Sequence, residues 1–585
     1  DTAPASLVFK TVDQLNRGAG CMTDRHEQIE LAMLNARAAE EAYSACAFTP
    51  STTYTQESLA ILDNGVTAWR DHYTLALTLN NLLAELKYCQ GNFNEAMEIT
   101  QCIFKKAKTF DDQFIAQTCN LKSMMLHGDF DGALTTCLRL LRLLDEPLPR
   151  KPSMSATAAG LIMTKKAIRK KSNEYISSLP PMADERVVKC MEILAILASV
   201  TYVSGSDYFP IVNFKMIRLM LKYGHTDYSP PAITTYGVLL YAILKDIKQA
   251  DRFGQLGLSL SRKAFIPRSS FVVHGFITHW RYSIVLTLDP LITAYHEGLA
   301  SGDIEYAGYS ALVYNVHGFH SGQVSIQSVI QGQKLCMQEL TKAAKSSVSD
   351  LLRPVQQAAV NLTGQSQDPV VLTGEVMDEE GLLQRSAETA NVLLDYYIRM
   401  NVACVSYIFG DYDRASVQSL KIQDIADKFP AVYAINVQAF YDGLSSYALA
   451  RTTNSRTKWI KRGRKMMKKF INWARDCPSN NTHKVLLLKA EDASLFALKS
   501  KKKREIAEQA YNAAILGAND TGFVNAAAIA SERAAEFYNS IGKHEQFASH
   551  IVQAYQLYSK WGADGKCECI AKKYPEIVFK SQYSH

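Results

Sequence analysis

Proline and glycine are scarce: 17 and 30 among 585 residues. A β-sandwich or barrel of this length needs many more turn residues, so the shortage excludes those classes and favours helices. Long apolar runs are also missing. The best, Met191 to Val203, is broken by Glu192 and is too short to cross a bilayer as a helix. No signal peptide opens the chain, which begins at Asp1; this predicts a segment cut from a longer protein. The twelve cysteines have no framework spacing. Cys89, Cys102, Cys119 and Cys137 fall inside helical patterns as small apolar residues, and the close pair Cys567 and Cys569 lacks a second pair at zinc spacing. That usage predicts the cytoplasm or another reducing compartment. Sequons occur at Asn361, Asn480 and Asn519.

Catalytic signatures are absent too. Gly562 to Cys567 approaches a phosphate loop but has the wrong glycine gap, and Cys stands where Ser or Thr should hold magnesium. It is expected to be a helix-terminal turn. His296-Glu297 and His544-Glu545 lack the second histidine of a metalloprotease helix, and no nucleophile elbow or kinase loop is present. Glu532 and Glu536 lie one helical turn apart, as on any decorated surface helix. The chain is therefore expected to be non-catalytic and to need no cofactor or metal.

What is present is helical periodicity. Leu75, Leu79, Leu82, Leu83 and Leu86 recur at steps of three and four on one face. A turn follows, Gly91-Asn-Phe93-x-x-Ala96. Gly91 ends a helix, Phe93 wedges between paired helices, and Ala96 lets the next helix approach. The device returns as Gly128-Asp-Phe130-x-x-Ala133 and Gly410-Asp-Tyr412-x-x-Ala415, with a weaker copy at Gly542. A spacing in the middle thirties is the period of tetratricopeptide pairs. The predicted fold is all-α: a tetratricopeptide-like, right-handed superhelical solenoid of antiparallel helix pairs. Asp145 to Pro152 is too rich in proline for continuous helix and marks a break. Leu179-Pro-Pro181 and Ser229-Pro-Pro231 are expected to be shorter connectors, and Asn361 to Gly381 a long loop or cover strand. The predicted divisions are 1–145, N-terminal repeats; 146–350, central helical repeats; 351–385, loop or cover segment; and 386–585, C-terminal repeats.

Two regions stand out as candidate sites. The net charge is +7, yet Arg456 to Lys469 carries eight positive charges without an acid, and Lys499 to Arg504 carries five more. The remainder is therefore near −6. Lys461, Arg462, Arg464, Lys465, Lys468 and Lys469 are either a solvated helix face or a docking patch for an acidic partner or phosphates. No nucleic-acid reading module accompanies them. The second region is His279, Trp280, Tyr306 and Tyr309, in a centre rich in His, Trp and Tyr, together with His274, His317 and His320. These are either core or groove histidines satisfied by backbone partners, or the lining of a ligand pocket.

Several stretches in order resemble one family: the helical region of very large signalling proteins. Those proteins join a serine/threonine-kinase-like domain, an AAA-type predicted ATPase, helical repeats, a GAF sensor and a histidine kinase. The stretches include Val12 to Gly18, Glu30 to Ala38, Trp69 to Leu75, Phe276 to Trp280, Gly302 to Tyr309, Asn361 to Glu375, Trp473 to Asn480, Ala534 to Tyr538, Tyr558 to Ala563 and Tyr574-Pro575. The basic stretch from Arg456 to Lys469 departs from the family pattern. The resemblance implies a scaffold between a nucleotide switch and a kinase output, whose concave face takes a protein partner or a neighbouring domain. The nucleotide-binding and phospho-acceptor residues would lie in other modules. A small-molecule-sensing repeat domain and a stand-alone adaptor or assembly factor are the alternative expectations.

Overall fold

The computed structural model describes residues 5–62, 66–262, 265–342, 347–425, 428–429 and 431–582. They form helices throughout; the described residues contain one isolated parallel bridge, between Pro181 and His225, and no strand. Two compact units emerge: Asp1–Pro147 with His296–Glu305 and Glu339–Ser347, and Leu148–Tyr295 with Tyr306–Gln338 and Val348–His585.

In the first unit, consecutive helices pack as antiparallel pairs. The pair Arg25–Ser44 and Phe48–Leu62 is joined through small residues. Ser51 Oγ donates to the Ala39 carbonyl and Ser58 Oγ to the Ala32 carbonyl, each at 2.7 Å. One index rises by seven as the other falls by seven, as antiparallel neighbours require. The turn at Gly91 behaves as its residues dictate. Gly91 and Gly128 sit at φ 79° and 85°, a region that costs glycine nothing. Phe93 and Phe130 are buried, and Ala96 and Ala133 are fully covered. Burying each ring stabilises the pair by about 1.5–3 kcal/mol. Phe93 also meets Tyr88 at 5.5 Å and His127 at 6.1 Å, so one turn packs on the next.

In the second unit the helices after residue 390 alternate sharply. Val392–Phe409, Ala434–Thr452, Pro478–Ser494 and Val524–Ser540 are buried nearly all round. Tyr412–Lys421, Arg456–Asp476, Lys501–Asp520 and His544–Trp561 bury one stripe and expose the other. Val392–Phe409 is long and apolar enough to span a membrane by composition, and 78% of it is buried inside the protein. Gly410 closes it at φ 92°, Asp411 caps the next helix through the Arg414 amide, and Ala415 is fully covered. Tyr412 is half-buried, 5.4 Å from Tyr407.

Two expectations are corrected. Ser229-Pro-Pro231 is the first turn of the Ser229–Leu244 helix, where a missing amide costs nothing and the fixed φ is already helical. The 351–385 segment is largely helical. Ser347–Leu362 and Glu379–Glu388 are helices, and the irregular stretch between them is 363–378. The long loop expected from Asn361 to Gly381 is present between them, and the alternative cover strand is not. Asn361 organises that loop instead, donating from Nδ2 to the carbonyls of Pro369 and Val371 at 3.1 and 2.7 Å.

Gly224 offers a direct test of backbone packing. It lies at φ 105°, and an added Cβ would stand 2.2 Å from the Pro180 carbonyl oxygen. Gly224→Ala is expected to destabilise the protein by about 2 kcal/mol or more, measured by urea unfolding.

Candidate functional site

The inner helices of the C-terminal repeats do not line an open groove. Their inward face is covered by the central part of the same unit. Asn480 Nδ2 donates to the carbonyls of His279 and Tyr282 at 2.7 and 2.9 Å, and its Oδ1 accepts from the Ile284 amide. Asn525 Nδ2 donates to the His320 carbonyl, Gln323 to the Thr521 carbonyl and Trp280 Nε1 to the Ala431 carbonyl. Phe319 meets Trp561 at 5.5 Å.

This seam holds two of the four residues expected to line a groove or pocket, His279 and Trp280. His279 and Trp280 are buried. His279 packs on Trp280, His317 and Tyr433 at 5.0–5.6 Å. Neither of its ring nitrogens has a well-formed hydrogen bond; nearby backbone groups of Ala431 and His274 offset burial only in part, and its pKa falls to about 3. His317 is paired with the Thr287 hydroxyl at 2.8 Å, and burial lowers its pKa well below the ordinary value. Tyr306 and Tyr309 lie apart from His279, in the wall of a separate cavity.

At the centre of the seam is Lys484, which the sequence offers only as part of the family-like stretch with His483 and to which the residue pattern assigns no role. Its ammonium donates to Asn436 Oδ1 at 2.6 Å and to the Tyr433 hydroxyl at 3.0 Å, and stands 5.1–5.9 Å from the rings of Tyr433, Phe440, Phe470 and Phe523. Burial depresses its pKa to about 7. A second polar cluster joins neighbouring repeats. Glu491 accepts from the Tyr511 hydroxyl at 2.6 Å and from Arg533 Nε at 3.1 Å, and pairs with Arg451 at 2.8 Å. Arg533 also pairs with Glu536.

The basic run forms the Arg456–Asp476 helix. Its arginines are committed within the chain. Arg462 makes a bidentate pair with buried Asp442 at 2.6 and 2.7 Å, and Arg464 pairs with Asp492 at 2.7 and 3.2 Å. The lysines behave differently. Lys458, Lys461, Lys465 and Lys468 are exposed and recur at steps of three and four, which places them in one stripe about 15 Å long. Lys469 turns away from the stripe into a recess of about 340 Å³ beside Trp280, Trp473 and Asp476. At the stripe's start, Arg456 donates to the Leu495 carbonyl at 2.7 Å, which brings in the exposed Lys499, Lys501 and Lys502 that follow. The two basic runs therefore adjoin.

Among the described residues no three His, Cys, Asp or Glu side chains gather as metal ligands. Cys567 is buried against the Tyr555 carbonyl while Cys569 is exposed.

No family model matches the chain. A curated relative is hybrid signal transduction histidine kinase G of Dictyostelium discoideum. It is 21% identical over 346 residues, a match covering 53% of this chain and 10% of that kinase. Among solved structures, a circular tandem repeat protein with novel repeat topology and enhanced subunit contact surfaces is 10% identical. It covers 96% of this chain and 99% of its own, with a TM-score of 0.14. The chain is thus an all-α protein of paired helices with weak similarity to part of a histidine kinase.

Two sequons are closed by the fold: Asn361 and Asn480 are buried structural donors, whereas Asn519 is exposed. The one local sign of Lys484 and Glu491 is a charged residue within an otherwise buried helical pattern, Pro478–Ser494.

Proposed function

We propose that this chain is a non-catalytic, tetratricopeptide-like scaffold of a signalling protein, and that it engages an acidic protein surface through its outer face. That surface belongs to a partner or to a neighbouring module of a histidine-kinase-type protein. The lysine stripe on the Arg456–Asp476 helix carries this reading. Four exposed ammonium groups share one line, while the adjacent arginines are satisfied internally. Flexible, strongly hydrated lysines suit an extended acidic segment better than a fixed bidentate site. The inner face is unsuited to docking, because the chain's own Asn480, Asn525 and Trp280 contacts occupy it.

A labelled ten-residue polyglutamate peptide tests the surface by fluorescence anisotropy. Reversing Lys461, Lys465 and Lys468 to Glu should weaken binding at least ten-fold with an unchanged melting temperature. Reversing exposed Lys151, Lys165 and Lys166 should change it less than two-fold. Binding by the wild type should fall as salt rises from 50 to 300 mM, roughly as the screening length shortens. Equal losses in the two triple variants would leave only a net-charge effect and sink the reading.

A further inference from the structure

The second unit contains a cavity of about 80 Å³ between its central helices and Leu393, Tyr397 and Val432, which the bonds of the seam and the basic face leave open. Packed interiors hold few voids larger than a water molecule, and this one is several times that size. Its walls come from separate helices and combine aliphatic side chains with aromatic rings, among them Tyr202, Phe271, Phe276, Tyr306, Tyr309 and Tyr397. The rings brace one another. Phe271 stacks on Tyr309 at 5.7 Å and meets Tyr306 edge-on at 5.7 Å, and Tyr202 meets Phe276 edge-on at 5.6 Å. Among the described residues no charged side chain lines the space; the Arg268 guanidinium stands nearby, 4.9 Å from the Tyr306 ring. Its polar groups are few. Ser199 and Tyr306 share a hydroxyl hydrogen bond of 3.1 Å, and the Thr235 hydroxyl is engaged with the Pro231 carbonyl. Ala198, Ser199, Tyr202, Phe209, Thr235 and Tyr306 remain partly exposed, so the chamber is not sealed.

We propose that this chamber binds a compact, uncharged molecule built on one ring system, single or fused, with a single hydrogen-bonding group. The size limits the ligand to roughly one ring system. The aromatic walls reward an apolar body, and the absence of a counter-charge penalises any ion that must shed its water. The Ser199 and Tyr306 hydroxyl pair can rotate to serve one donor or acceptor. This inference goes beyond the scaffold reading and does not depend on it.

Indole is the probe, titrated into the 585-residue chain by calorimetry. The expected result is one saturable site with a dissociation constant on the order of 0.1 mM. Ala198→Phe projects a ring into the same space and should weaken binding at least ten-fold. Should that variant melt lower than the wild type, Thr235→Leu blocks a second wall and is expected to act alike. Benzoate and benzylamine, charged rings of similar size, should bind at least ten-fold more weakly. The triple Lys→Glu variant of the basic face should bind indole unchanged, which separates this site from the docking surface. Absence of saturable binding, equal affinity in folded cavity-filled variants, or equal affinity for benzoate overturns the proposal.

Discussion

Acidification from pH 7.5 to 5 is expected to remove most of the second unit's stability, well before its carboxylates titrate. Five histidines account for this. Burial holds His274 at a pKa of about 4 and His279 and His320 at about 3, and keeps His317 and His483 well below the ordinary value. Their surroundings supply no anion to reverse that. His279 faces His317 and Tyr433, His320 faces Asn401 and Lys484, and His483 faces Phe523 and Lys484. In the unfolded chain each takes a proton near pH 6.5, while in the folded chain each stays neutral. The unfolded state therefore binds more protons below pH 6.5, and stability falls with pH at about 1.4 kcal/mol per unit for each group. At pH 5 that is about 2 kcal/mol per histidine and on the order of 10 kcal/mol in all. Lys484 acts with the same sign in a higher window. Its folded pKa of about 7 lies below its ordinary 10.5, so its contribution improves as pH rises from 7 towards 10.5. Urea midpoints across pH 5 to 9 check both limbs. A flat profile between pH 7.5 and 5 would mean that the seam is hydrated rather than closed.

Glu491→Ala is expected to destabilise the protein by about 3–5 kcal/mol, the largest effect of any single side-chain truncation in the C-terminal repeats. Burial alone would raise the Glu491 pKa, but Arg451, Arg533 and the Tyr511 hydroxyl outweigh it and hold the carboxyl at about 2. Its stabilising contribution is thus complete above about pH 4.5 and is lost only as pH falls towards 2. Truncation leaves the buried Arg533 guanidinium with Glu536 as its remaining carboxylate partner among the described residues and a 3.5 Å hydrogen bond to the Tyr412 hydroxyl. Most of the cost is that stranded charge, so replacing Glu491 and Arg533 together by methionine should recover more than half of it. If the double variant is as unstable as the sum of its single changes, the pair acts by packing and not by charge.

The helical class and the repeat turns were legible because their causes are local. A glycine entering the left-handed region, an aromatic two residues on and a small residue three further make a turn that does not depend on distant contacts. Copies without an aromatic two residues on were missed: Gly302 and Gly522 adopt φ 76° and 78°, but Ile304 and Val524 stand at that position. The seam was not legible. Its defining bonds, from Asn480 to His279 and from Asn525 to His320, join residues about two hundred positions apart and leave no periodic trace. For the same reason His279 looked like a groove residue, although it is sealed. The basic helix was legible as charge, but only the positions of Asp442 and Asp492 separate the bound arginines from the exposed lysines.

Hydrogen–deuterium exchange tests the docking account most directly, comparing the 585-residue chain free and saturated with the ten-residue polyglutamate peptide. The account predicts added protection along 456–469 and 499–504 in the complex, with exchange in 434–452 and 478–494 already slow in both. Unchanged exchange at the basic runs, with new protection on the inner helices instead, would contradict it.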